Sequence, residues 1–139
     1  MEDREKLLFD IISAMFRMKN ECAGTILSEC GLQDMTVRQI AYLKTIDDEG
    51  TVTFTRLAGI TRTSKPTVSE MISRCIRMEC VERERSPEDA RVQYIRLTEK
   101  GRSVAHIEEA AVRQVVARMA ESLDERELDL LIRLLLKIR

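Results

Sequence analysis

Aromatic residues are scarce in this chain. Tryptophan is absent, and two Tyr and three Phe make up only 4% of 139 residues. A surface that stacks unpaired bases needs interleaved rings, so a single-strand platform is excluded, whereas duplex DNA makes no such demand. Five Gly and two Pro supply little turn chemistry, which excludes a loop-rich or disordered chain and favours helices. Cys22, Cys30, Cys75 and Cys80 are separated by 7, 44 and 4 residues, spacings that match no standard zinc site or redox pair. With a single His beside them, no metal site is predicted. No apolar run approaches the roughly 20 residues of a membrane span; Leu134-Leu135-Leu136 is closed by Arg133 and Lys137. The N-terminus mixes acids and bases and has no signal-peptide pattern, so the expected compartment is the cytoplasm, where thiols stay reduced. A nucleophile with its base, paired carboxylates in a motif and a phosphate loop are all missing. Neither an enzyme nor a cofactor is therefore predicted.

What is present is the balance of a helix-rich globular chain: 44% hydrophobic and 34% charged residues. The length fits one domain over residues 1–139. The net charge of −1 hides an uneven distribution. Phe54 to Arg102 carries 11 Lys and Arg against seven Asp and Glu, and the remainder carries 12 against 17. A basic middle between acidic ends fits a focal nucleic-acid-binding face on a body that does not bind polyanions indiscriminately.

Apolar residues recur at helical spacing from Glu2 to about Cys30, with Gly31 as the stop. Thr36-Val37-Arg38-Gln39 is a capping box that opens a second helix fading at Asp47-Asp48-Glu49-Gly50. Thr53 caps a two-turn helix to about Ile60. Ser64, with Pro66 in the first turn, caps a helix through Met78. Val68, Met71, Ile72, Cys75 and Ile76 form its core face. Its other face carries Lys65, Thr67, Ser69, Glu70, Ser73, Arg74 and Arg77, which must meet water or a partner. The period then changes to two: Val81 to Arg85 and Arg91 to Leu97 read as a two-stranded hairpin with Ser86-Pro87-Glu88-Asp89 at its tip. Thr98 caps one long helix to about Glu121, and Asp124-Glu125-Arg126-Glu127 opens a last helix to Ile138. That helix is apolar nearly all round, which predicts a second chain covering it.

This order predicts a mainly α, winged helix-turn-helix fold of about six helices plus a two-stranded β-wing. A capped helix can present its first residues to the major groove while an Arg-bearing hairpin reaches phosphates or the minor groove. Leu57-Ala58, Ser64-Lys65-Pro66-Thr67-Val68-Ser69, Val81-Glu82-Arg83, Asp89-Ala90-Arg91 and Leu97-Thr98-Glu99-Lys100-Gly101 occur in the order and spacing of the MarR family, which the chain resembles from about Leu32 to Ile138. The resemblance implies a homodimer, most often a repressor, held by residues 1–31 and 99–139. Its winged-helix lobes, residues 32–98, read a pseudo-palindromic duplex and are released by a small-molecule effector or a thiol switch. The candidate DNA-binding residues are Ser64, Lys65, Pro66, Thr67, Ser69, Arg74, Arg83, Arg85, Asp89 and Arg91. Lys65 and Arg74 are expected on phosphates, Arg83 and Arg85 on phosphates beside the wing, and Asp89 behind Arg91 as it enters the minor groove.

Arg62 and Cys80 stand where the family usually has Gly. A left-handed non-Gly residue costs about 1 kcal/mol, so these turns either close differently or hold mild strain. Met15, Phe16, Met18 and Tyr42 are the candidate lining of an apolar effector pocket, with core packing as the competing role. Cys75 is expected in the core, while Cys22, Cys30 and Cys80 are expected to be more open and are the candidate redox residues. His106 is expected in the first half of the long helix, as a dimer or pocket residue. Asp47-Asp48-Glu49 and Glu108-Glu109 read as solvated charge. Two alternatives stay open: a thiol-based redox-sensing regulator, and a protein-interaction module on a winged-helix body.

Overall fold

The computed structural model describes residues 2–139. It divides into two compact units: Ile26–Ile107, and the stretches before Ile26 and after Ile107. The boundaries place the end of the first helix, and residues 99–107, with the winged-helix part.

Helix α1 (Glu2–Glu29) begins with Glu2, Asp3 and Glu5 in its first turn, where acids complement the helix dipole. It ends at Gly31, whose φ of +70° lets Leu32 donate back to Leu27 O at 2.8 Å. The capping box at Thr36 is formed in both directions, Gln39 N to Thr36 Oγ1 at 3.2 Å and Thr36 N to Gln39 Oε1 at 2.9 Å. It opens α2 (Val37–Glu49), which stops at Gly50. The next three residues, Thr51–Thr53, form a strand, β1. A three-residue alternation with only Val52 buried is too short to be read as a strand from sequence. Helices α3 (Phe54–Thr61) and α4 (Lys65–Arg77) follow, capped by Thr53 and Ser64.

Strands β2 (Val81–Arg85) and β3 (Gln93–Leu97) make the predicted hairpin, but β1 pairs with the free side of β3. The sheet is therefore three-stranded, in the order β1-β3-β2. The predicted single helix from Thr98 is also two: α5 (Glu99–Ala105) and α6 (Ile107–Ser122), parted at His106. No Gly or Pro marks the break. His106 instead has Nε2 2.7 Å from Asp47 Oδ2 on α2, so a tertiary tie accompanies it. This makes seven helices among the described residues, with α7 (Glu125–Leu136) opened by the Asp124 capping box.

Leu43, Ile46, Leu57, Val68, Ile72, Ile95 and Val104 are fully buried at the centre of the Ile26–Ile107 unit. Each comes from the apolar stripe of its own element, and each contributes roughly 1.5–3 kcal/mol through burial. The end of α4 is a Schellman closure: Cys80 N donates to Cys75 O at 3.0 Å and Glu79 N to Ile76 O at 2.9 Å. The left-handed residue is thus Glu79, at φ +61°, and not Cys80; the turn at Arg62 keeps the left-handed conformation, at φ +53°. Cys80 is one position further on, with its side chain buried and its carbonyl pressed against α5. A Cβ on Gly101 would collide with Cys80 O, which gives the Thr98–Gly101 motif a steric meaning.

In the other unit, Lys19 Nζ pairs with Glu108 Oε2 at 2.6 Å, so Glu108 is not merely solvated. None of α7 is buried. Leu130, Ile132, Leu134, Leu135 and Leu136 on α7 stay exposed, as do Leu7, Leu8, Phe9 and Ile11 on α1.

Candidate nucleic-acid interface

The start of α4 is built to be rigid. Ser64 Oγ accepts from Thr67 N at 3.3 Å and lies 2.8 Å from Thr67 Oγ1, so both hydroxyls are already engaged in the cap. Pro66 in the first turn needs no amide partner. Lys65, Pro66, Ser69 and Arg74 are exposed on the face opposite Val68, Ile72 and Cys75. Arg74 is not a free cation, since its Nη2 donates to Glu70 Oε1 at 2.7 Å, an i,i+4 pair along the helix. A cleft beside it is lined by Arg38, Thr67, Glu70, Met71 and Arg74. Arg38, from α2, escaped the sequence reading because only the fold brings it to this face.

The tip of the wing is ordered by its own side chains. Ser86, buried among polar neighbours, accepts from Glu88 N at 3.3 Å and Asp89 N at 3.4 Å. Asp89 accepts from Arg91 three times: from the backbone N at 3.0 Å, from Nε at 3.1 Å and from Nη2 at 3.2 Å. These bonds, the side-chain ones first, hold the Asp89 carboxyl below the ordinary carboxylate range. The guanidinium is held at its base yet remains 90% exposed. Ser86 was not singled out from sequence; a Ser two and three residues before free amides is the signal that marks it.

Lys65 at the start of α4 and Arg91 of the wing line the same cleft, of about 440 Å³, together with Thr53, Phe54, Thr55, Val92 and Gln93. Two cations from elements 26 residues apart in sequence converge there. Arg85 is exposed near the end of β2. Arg83, exposed on β2, donates from Nη2 to Ser73 Oγ at 3.0 Å, and its guanidinium lies 5.4 Å from the centre of the Phe54 ring.

The family model for MarR matches residues 35–92, from just before α2 to the wing. Residues 35–92 form a MarR-family domain. Comparison with curated proteins finds no match. Among solved structures, a mutant MepR from S. aureus bound to an oligodeoxyribonucleotide is 23% identical, with a TM-score of 0.69 over 96% of this chain and 94% of that one. A mutant MarR from E. coli complexed with operator DNA is 22% identical, with a TM-score of 0.55 over 99% and 97% of the two chains. YusO from Bacillus subtilis is 20% identical, with a TM-score of 0.63 over 96% and 95%. At these identities the likeness is one of fold, and it covers nearly the whole chain.

The unit formed by the stretches before Ile26 and after Ile107 holds an apolar cavity of about 340 Å³ lined by Ile12, Met15, Phe16, Lys19, Val112, Val115, Val116, Met119 and Leu135. Met15 and Phe16 are thus brought together. Met18 is not part of this lining, and Tyr42 is buried in the MarR-domain core with its hydroxyl 3.2 Å from Thr63 Oγ1. The expected openness of the cysteines is corrected. Cys22 and Cys80 are buried and only Cys30 is partly exposed. Burial, with Cys80 alongside, pushes the Cys75 thiol up to about 11. Burial also raises the Cys80 thiol, against the opposing pull of Lys100. Both stay protonated at neutral pH, the less nucleophilic form.

Proposed function

We propose that the chain is a sequence-specific, duplex-DNA-binding transcription regulator. The observation that carries this reading is the convergence of Lys65 and Arg91 on one cleft between the start of α4 and the wing. A helix start held by Ser64 is suited to base edges in the major groove, while an exposed guanidinium steadied by Asp89 is suited to the adjacent minor groove, and the cleft between them to the phosphates that separate the two. The DNA-bound states of the S. aureus and E. coli proteins of similar fold support the same use.

We infer further that the protein works as a homodimer in the cytoplasm, most often as a repressor. The exposed leucines and isoleucines of α1 and α7 are a larger apolar surface than a monomer leaves to water, and a second copy is the partner that the MarR family implies. Two lobes reading a pseudo-palindrome need their recognition helices about 34 Å apart. A small apolar effector that favours another separation releases the DNA without any covalent chemistry. The cavity around Met15 and Phe16 is the candidate effector site. The raised Cys75 and Cys80 thiols weigh against a redox switch at those residues.

Selection of bound duplexes from a random pool, followed by salt titration, tests the proposal. A pseudo-palindromic consensus and an affinity that falls steeply with salt are expected. No preference for any duplex over competitor at moderate salt, or a strictly monomeric protein, would end it.

A further inference from the structure

Arg83 was expected on a DNA phosphate; the register of the wing places it, still exposed, on the same face of the sheet as the buried Val81. Directly opposed residues of an antiparallel pair share a face. Val81 faces Leu97 and Arg83 faces Ile95, and Val81, Ile95 and Leu97 are all buried. Arg83 therefore continues the buried face of the sheet to its open rim. Glu82 and Glu84 occupy the other face, where Arg96 Nε donates to Glu82 Oε1 at 2.8 Å and Arg96 Nη1 lies 3.5 Å from Glu84 Oε2. On its own side Arg83 meets one residue from each helix of the helix-turn-helix: the Phe54 ring of α3 at 5.4 Å and Ser73 Oγ of α4 at 3.0 Å.

We propose that Arg83 is a positioning residue, a strut that fixes the wing root against α3 and the middle of α4. It acts on DNA only by holding the recognition helix and the wing tip at one separation. The reason for Arg at this position is geometric. A planar guanidinium can lie over a ring and donate sideways to a hydroxyl at the same time, which the compact ammonium of Lys cannot do. Phe54 and Ser73 belong to the same device, and Phe54 also lines the cleft shared by Lys65 and Arg91. The DNA consequence rests on the function proposed above; the strut does not.

The experiment has two arms on the full-length protein. Without DNA, NMR of the Arg side chains should find the Arg83 δ and ε protons displaced upfield of those of Arg91, which lies over no ring among the described residues, and the displacement should vanish in Phe54→Leu. With the selected duplex, Arg83→Ala, Phe54→Leu and Ser73→Ala should all weaken binding, Arg83→Ala by roughly three- to tenfold. The slope of log affinity against log salt should stay at the wild-type value. Arg83→Lys should fail to restore affinity although the charge is kept. A phosphate ligand gives the opposite pattern: Arg83→Ala flattens the slope by about 0.9, Lys rescues, and Ser73→Ala binds normally. That pattern, or an Arg83 signal with no ring shift, overturns the strut. If the ring shift is present but the wild-type protein binds no duplex, the DNA-binding reading falls and the strut stands as a structural element alone.

Discussion

Replacing Gly101 with Ala sets two effects against each other. Inside a helix Ala is favoured over Gly by about 1 kcal/mol, so propensity alone predicts a more stable protein. The geometry predicts the reverse, because a Cβ at this position collides with the carbonyl oxygen of Cys80 and comes within 2.9 Å of its carbon. Helix α5 is not free to retreat. Thr98 N donates to Cys80 O at 3.0 Å, Thr98 Oγ1 donates to Glu79 O at 2.6 Å, and Gly101 N donates to Thr98 Oγ1 at 3.0 Å. Relieving the clash means stretching one or two of these bonds, each worth about 1 kcal/mol, on top of about 1–3 kcal/mol for overpacking. After subtracting the propensity gain, Gly101→Ala should destabilise the protein by about 1–4 kcal/mol. Urea unfolding followed by far-UV circular dichroism reads this as a lower midpoint at unchanged slope. Gly59 in α3 is the control, since a Cβ there meets nothing within 4 Å. Gly59→Ala should raise the midpoint by up to about 1 kcal/mol of stability. A Gly101→Ala midpoint at or above wild type would refute the close-approach argument.

The left-handed residues give a stability change of the opposite sign. Arg62→Gly and Glu79→Gly should each stabilise by up to about 1 kcal/mol in the same urea assay, with Glu79→Gly gaining less because it also loses the 3.9 Å contact to Lys100. At the wing, Arg91→Ala should lose duplex affinity while unfolding at the wild-type midpoint; a lowered midpoint with normal binding would sink the assignment. Arg74→Ala should weaken binding and flatten the salt slope by less than the 0.9 of a free cation, because Glu70 already offsets its charge. The Asp89 carboxyl is held down by Arg91, so the ordered tip is favoured above the ordinary carboxylate range and is lost only as pH falls through the depressed Asp89 value. NMR titration of Asp89 should show that depressed midpoint, and Arg91→Ala should return it toward the ordinary one.

Much of the fold was legible because it is written locally. The capping boxes at Thr36 and Asp124, and the caps at Thr53, Ser64 and Thr98, need only residues within three positions, and all five are formed. What escaped depends on distant partners. Strand β1 pairs with the free edge of β3, the break at His106 comes with Asp47 on another helix, and the contacts of Arg83 with Phe54 and Ser73 depend on the β2–β3 register. The left-handed residue fell on Glu79 because the Schellman closure, set by where α4 stops, picks the position and not the family's habitual Gly.

Charge counting was the least transferable part of the sequence reading, and the ion pairs explain why. Of the cations in the basic middle, Arg56, Arg74, Arg91, Arg96 and Lys100 each lie against a carboxylate. A paired cation that meets a phosphate must share its charge or exchange its partner, so the regional excess overstates the field available to a duplex. Arg62, Lys65, Arg77, Arg83, Arg85 and Arg102 make no ion pair among the described residues, and Arg91 keeps its guanidinium exposed despite Asp89. With nearly half of these cations already paired, one lobe has less hold on DNA in salt than the regional count suggests. Under the proposed function, useful affinity then comes from two lobes bound at once, where the second contact is intramolecular and strengthens binding without adding charge. A single lobe should therefore bind weakly even to its own half-site, and lengthening the spacer between half-sites by half a helical turn should cost nearly as much affinity as deleting one of them.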